Sequence, residues 1–233
     1  MKQHFYLLCV LPDLGDFRSV PPVNKRELLA AVTESAGPAD IVSALLLSDD
    51  LLQREAVLAG EIEPDSADLA VLSLPQIAAD EALPDFLQSG QRDQSDFSDR
   101  SIAVDAIWLN YFLSVSKIAR RSRSQFLTAW VGFEVGMRNA LARARAEALD
   151  LDPAPYMVAE ELEDSEFSFE STVAGWKAAS NPLEALETLD RTRWNWAIEH
   201  ERWYSFSDDE IAAYTAKTMI LHRWHRMTGG DKK

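Results

Sequence analysis

Apolar residues recur with helical spacing along much of this chain. Val104, Trp108, Tyr111, Val115 and Ile118 follow one another in steps of four and three, which lines up one face of an α-helix. Arg120, Arg121 and Arg123 close that stretch, where positive charge is favourable against the helix dipole. Phe126, Trp130, Phe133, Met137 and Leu141 extend the stripe toward Ala148, a spacing equally compatible with a second helix or one long kinked one. Asn181-Pro182 supplies a cap and a first-turn proline for a helix carrying Leu183, Leu186, Leu189 and Trp196 inward. Ser207 and Glu210 have capping-box spacing ahead of a last helix through Ile211, Tyr214, Thr218, Leu221 and His225, ended by Gly229-Gly230.

The N-terminal third is more broken. Residues 4–11 are too short and too uniformly apolar for a period to emerge, and are expected as a short buried extended segment or a single turn, closed at Leu11-Pro12. Asn24 can cap a helix through Glu27, Leu28, Leu29 and Val32 that stops at Gly37-Pro38. Two short helices are expected at 39–47 and 50–58, with Ser48 or Asp49 capping the second and Gly60 closing it. Residues 64–86 suggest helical turns separated at Pro75 and Pro84, and the proline-flanked acidic stretch 150–167 a loop. Strand alternation and Asn-Gly hairpin turns do not compete, so the expected fold is all-α, an elongated or wedge-like helical bundle with a short extended N-terminal segment. The polar window 91–100 divides it into an N-terminal region of short helices, 1–90, and a helical bundle with long amphipathic helices, 101–233, one continuous domain being the alternative.

Composition sharpens this in two ways. With 233 residues, 47% of them hydrophobic, the chain can bury a substantial core. With 38 acidic against 23 basic side chains and a net charge of -15, its average surface repels phosphate backbones and anionic headgroups, which argues against nucleic acid as the main partner. Cys9 is the one cysteine, so a disulfide or a cysteine-based zinc site within the chain is excluded and a reducing, cytoplasmic setting fits. The apolar run 5–11 behind Lys2 is barely long enough for a signal peptide and meets Pro12, Asp13 and Asp16 instead of a cleavage pattern, so it is read as buried structure. No run approaches the ~20 apolar residues that cross a bilayer, and membrane association is expected only through partner proteins.

Candidate chemistry is sparse. No glycine-rich phosphate loop, dinucleotide fingerprint or Gly-x-Ser-x-Gly elbow is present. His200-Glu201 opens like a zinc-protease motif but meets Tyr204 where the second histidine belongs. His222 and His225, three apart, could join His200 in a metal-dependent enzyme, against the simpler reading of polar tips on packed helices. Cys9, in an apolar run, is assigned to the core. Glu160, Glu161, Glu163, Asp164 and Glu166 could pair as catalytic carboxylates but read better as a solvated face. Trp194, Trp196, Trp203 and Trp224 are assigned to the core rather than to an interface, and Glu134 with Arg138 to an i, i+4 ion pair near Asn139. No catalytic, cofactor-binding or metal residue is assigned, and no cofactor is expected.

Three segments, taken in order, resemble a bacterial family associated with V-type ATP synthases: His4-Phe-Tyr-Leu-Leu-Cys-Val-Leu-Pro-Asp-Leu14, Phe126-Leu-Thr-Ala-Trp-Val-Gly-Phe-Glu-Val-Gly-Met-Arg-Asn139, and Leu189-Asp-Arg-Thr-Arg-Trp-Asn-Trp196. That family is similar to the C-type component of the central stalk, called the d-type component in eukaryotes. The resemblance implies a non-catalytic helical wedge coupling the membrane rotor ring to the central shaft, with rotor-ring and stalk proteins as partners, at the inner face of the cell membrane. An unrelated helical scaffold or regulator of a soluble protein is the alternative.

Overall fold

The computed structural model describes residues 4–88 and 100–229. Helix accounts for 69% of the chain and no strand occurs among the described residues, so the all-α fold class holds. In chain order the helices are α1 (Phe5–Val10), α2 (Lys25–Glu34), α3 (Ala39–Leu58), α4 (Leu74–Ile77), α5 (Asp85–Gln88), α6 (Arg100–Ser122), α7 (Gln125–Ala148), α8 (Glu170–Ala178), α9 (Pro182–His200) and α10 (Asp208–Thr228). Three 3₁₀ turns intervene at Pro64–Ser66, Ala154–Tyr156 and Glu160–Leu162.

Two compact units result: Met1–Glu81 together with Ala178–Lys233, and Ala82–Lys177. This division differs from the sequential one drawn from composition, because α9 and α10 return to pack with the N-terminal helices. Of the expected linker, residues 91–99 lie outside the described residues, as does Gly230 of the closing glycine pair.

In the first unit α10 is the central element, packed on α3, α9 and α2. Ala212, Ala213 and Ala216 bring neighbouring backbones close, and Ile211, Met219, Ile220 and Leu221 fill the remaining sides, so the helix is buried around most of its circumference. α3 is one 20-residue helix where two short ones were expected. The Ser48 hydroxyl donates to the Leu45 carbonyl at 2.7 Å, within the helix rather than as a cap. Asp49 and Asp50 are fully buried in mid-helix. Asn24 and Asn181 cap α2 and α9 as their positions suggested, accepting from the Arg26 and Glu184 amides. Leu183 does not turn inward but stays exposed at the first turn of α9. Pro75 opens α4 behind a Ser73/Gln76 capping box instead of separating two turns.

Of the two expected forms, an extended segment or a single turn, residues 5–10 take the helical one in a six-residue helix, and only Leu7 of α1 is buried. Phe5, Tyr6, Cys9 and Val10 face outward, which corrects the assignment of this run, and of Cys9, to the core. An apolar helix of under two turns has one face to bury, and here Leu7 takes it. Leu11 has an extended ψ of 131°, the restriction expected before Pro12.

The second unit is built on a hairpin of two helices, not one kinked helix. α6 ends at Ser122, Arg123 takes a left-handed φ of 58°, and the Ser124 hydroxyl caps α7 by accepting from the Leu127 amide at 3.0 Å. Both predicted stripes face the core: Trp108, Tyr111 and Val115 on α6, and Phe126, Trp130, Phe133 and Met137 on α7. α7 also carries the loop 150–167. A Cβ on Gly136 would lie 2.7 Å from Phe169 Cε2, and one on Gly132 would lie 3.2 Å from the Leu162 oxygen, so two glycines four apart let the returning chain cross the helix closely. The Asp164 amide donates to the Gly132 carbonyl at 3.1 Å at that crossing. Among the described residues no helix is long and apolar enough to cross a membrane.

Candidate functional site

Two features of the first unit stand out from ordinary packing. The first is a buried cluster of charge where α2, α3, α9 and α10 meet. Asp49 on α3, fully buried, is held by Lys25 Nζ of α2 at 2.6 Å and by both terminal nitrogens of Arg226 on α10, at 2.7 and 3.2 Å. Arg223, one turn earlier on α10, reaches Asp49 at 3.7 Å and donates to Asp190 of α9 at 3.1 Å. Arg193 donates to the same Asp190 oxygen at 3.2 Å. Lys25 also meets the Asp68 carboxylate at 3.2 Å, and Gln53 clamps the Asp68 backbone by accepting from its N–H at 2.8 Å and donating to its carbonyl at 2.7 Å.

Electrostatics follow from this geometry. Burial alone would raise the Asp49 carboxyl, but Lys25, Arg226 and Arg223 outweigh it and hold the group well below the usual carboxylate range. Asp68 is likewise pushed down to about 2, with burial opposing and the hydrogen bond from His222 and the charge of Lys25 prevailing. Asp50 is held by backbone instead of by ion pairs; burial raises its carboxyl, against the pull of the Ala70, Val71 and Leu72 amides that donate to it at 2.6–3.2 Å. Each of these carboxylates is engaged with cations or backbone donors, which suits a structural lock more than acid–base chemistry.

The second feature is a cavity of about 350 Å³ within the same unit. Leu8, Leu11 and Leu14 form one wall and Trp194, Ile198 and Trp203 another. Lys217 of α10 lies among them, its ammonium paired with Glu201 and set 4.9 Å from the Trp203 ring centre and 6.0 Å from that of Trp194. Tyr214 donates to the Pro12 carbonyl at 2.8 Å, and burial raises its phenol above the ordinary value. At the edge, Glu210 accepts from the Phe206 and Tyr204 amides at 2.6 and 3.1 Å. The expected capping box is therefore displaced: Glu210 reaches back past Ser207, whose own side chain makes no cap bond.

The histidines singled out in the sequence have separate tasks. His200 stacks on Trp196 with ring centres 3.8 Å apart. His222 bonds to the Val23 carbonyl at 2.8 Å and faces Asp68, while His225 bonds to the Ser19 carbonyl at 3.0 Å, so the two pin the segment before α2 onto α10. No group of three or more His, Cys, Asp or Glu side chains is placed to hold a metal among the described residues. Trp194, Trp196 and Trp224 are core residues as expected, but Trp203 is 61% exposed. In the second unit Arg138 pairs with Asp105 at 2.9 Å and lies over the Trp108 ring. Asn139 exchanges two bonds with the Val158 backbone, 2.9 and 3.0 Å, and Glu163 of the acidic string forks onto Arg143. Lys25 was not distinguished in the sequence, and Asp49 and Asp190 stood out there only as a candidate cap and as part of a quoted segment, because partners on distant helices leave no local pattern.

Comparison with family models, with curated proteins and with solved structures gave no match.

Proposed function

We propose that this chain is a non-catalytic component of a bacterial V-type ATPase or ATP synthase, similar to the C-type component of the central stalk and coupling the membrane rotor ring to the central shaft. The resemblance of the three ordered segments carries the proposal, and the charge cluster around Asp49 supports it. A coupling protein needs helices that keep their register under lateral force, and directional ion pairs among four helices oppose sliding in a way that aliphatic packing alone does not. The residues of the ordered segments support the same view. Asp190 and Arg193 from the third segment, and Gly132, Gly136 and Asn139 from the second, all set backbone or helix positions. Partners are the rotor-ring and central-stalk proteins, and the place of work is the cytoplasmic face of the cell membrane, reached through those partners.

Affinity purification of the full chain from its native cell in mild detergent tests this. Rotor and stalk proteins are expected to accompany it; a stable complex with one unrelated soluble protein in their place would favour the alternative, a helical scaffold. The exposed apolar surface around Trp203 suits either partner, so the choice rests on the ordered segments.

A further inference from the structure

The cavity beside Lys217 has an apolar interior and an acidic mouth, and its own ammonium is already engaged. Among the described residues, Asp13, Asp16, Glu201 and Glu210 line it against the one cation Lys217. Glu201 is spent on Lys217, and Glu210 on the backbone amides of the preceding turn. Asp13 and Asp16 are exposed. They leave a negative field at the opening, which the net charge of -15 reinforces over longer range. The wall of Ile198 and Trp203 reaches the surface, with Ile198 45% exposed and Trp203 61%. α1, which supplies Leu8 to the cavity, also exposes Phe5, Tyr6 and Val10, and Phe5 stacks on Phe206 at 3.7 Å. The aromatic faces of Trp194 and Trp203 already hold one alkylammonium, Lys217, showing that this pocket tolerates a cation on an aliphatic stem.

We propose that this cavity is the docking site for a segment of another protein that inserts an aliphatic side chain and flanks it with arginine or lysine. Charge complementarity selects the occupant: a fatty acid or an acidic peptide would bring its carboxylates against Asp13 and Asp16, whereas a basic segment places its cations there and its leucine-like side chain on Trp203 and Ile198. Trp203, large, aromatic and already exposed, has the character of an interface anchor. The inference rests on the docking role proposed above and adds the chemistry of one partner surface.

The test uses the full chain with tryptophan side chains labelled for ¹⁵N NMR, titrated with a short synthetic arginine–leucine peptide and with its glutamate–leucine counterpart. The basic peptide is expected to shift the Trp203 indole signal saturably, to bind at least about tenfold more tightly than the acidic one, and to weaken several-fold as salt is raised. The double variant Asp13→Asn with Asp16→Asn, at two exposed positions, is expected to lose about tenfold in affinity for the basic peptide with its urea midpoint unchanged. Ile198→Glu is expected to abolish binding. No shift with the basic peptide at millimolar concentration, equal binding of both peptides, or undiminished binding by both variants would overturn the proposal. Binding of butylammonium alone as tightly as the peptide would overturn it in favour of a small-molecule site. If Ile198→Glu still copurifies with rotary-ATPase proteins in undiminished amount, the cavity assignment fails while the coupling role stands.

Discussion

Three cations converge on the Asp49 carboxylate, from positions 25, 223 and 226, and the arrangement turns one aspartate into the tie between helices far apart in the chain. Desolvating so many charges is costly, and the return is specificity of position more than net stability. The consequence is asymmetric. Asp49→Asn removes the negative charge, leaving buried Lys25 with Asp68 as its remaining carboxylate and half-buried Arg226 without its direct counter-ion, so it is expected to destabilise the chain by about 2–4 kcal/mol. Urea unfolding followed by far-UV circular dichroism measures this; a loss under about 1 kcal/mol would mean that the cluster contributes little. Neither Asp49 nor Lys25 was legible in the sequence. Asp49 follows Ser48 after an apolar run and imitates a helix cap, and its partners lie 24 residues before it and 177 after it.

Among the elements, the α6–α7 hairpin was the most legible because its stripe is long and aromatic, and periodicity is a local property. The closure of residues 150–167 over α7 was not, since it depends on the absence of side chains at Gly132 and Gly136. Gly136→Ala should gain roughly 1 kcal/mol of helix propensity, yet the added methyl would meet the Phe169 ring at 2.7 Å. That ring is buried and packed against Phe133 and Phe167 at 5.4 and 4.7 Å, so it has little room to move. Overpacking of this kind costs about 1–3 kcal/mol, and a lowered melting temperature is expected for Gly136→Ala; a raised one would show that the crossing relaxes freely. The shorter elements were harder to read. α1 looked like core because it is apolar throughout, but its length leaves one face for burial. α3 looked divided at Ser48-Asp49-Asp50 because the partners of Asp49 and Asp50 lie elsewhere in the chain, on other helices and on the amides of residues 70–72.

At the scale of the whole molecule, the division into units depends on which distant helices complement one another, and no window of sequence reports that. The electrostatics nonetheless give the molecule a directional response to pH. Asp49 and Asp68 sit below their ordinary values when folded, so their stabilisation is complete above the unfolded carboxylate value near 4 and is lost as pH falls through that value toward about 2, where Asp68 titrates. Asp50 acts in the opposite sense, since a raised folded value favours the protonated form and its contribution declines as pH rises. Glu184 and Glu187 are also lowered, by the Ser180 and Arg191 hydrogen bonds, so four depressed carboxylates against one raised one set the net sign. In about 0.15 M salt, which screens the surface excess of carboxylates, the urea midpoint is expected to fall between pH 6 and pH 3. An unchanged or higher midpoint at pH 3 would contradict the assigned charge states.

A net acidic surface, a cavity walled by leucine and tryptophan, and charged groups engaged in holding helices together are the features on which the proposed coupling role is argued. The most direct measurement is quantitative mass spectrometry of the full chain purified from native membranes in mild detergent. Rotor-ring and central-stalk proteins of a V-type ATPase are expected in fixed proportion to this chain. Recovery of the chain without any of them, while the enzyme itself is present in the same membranes, would contradict its assignment as a coupling component.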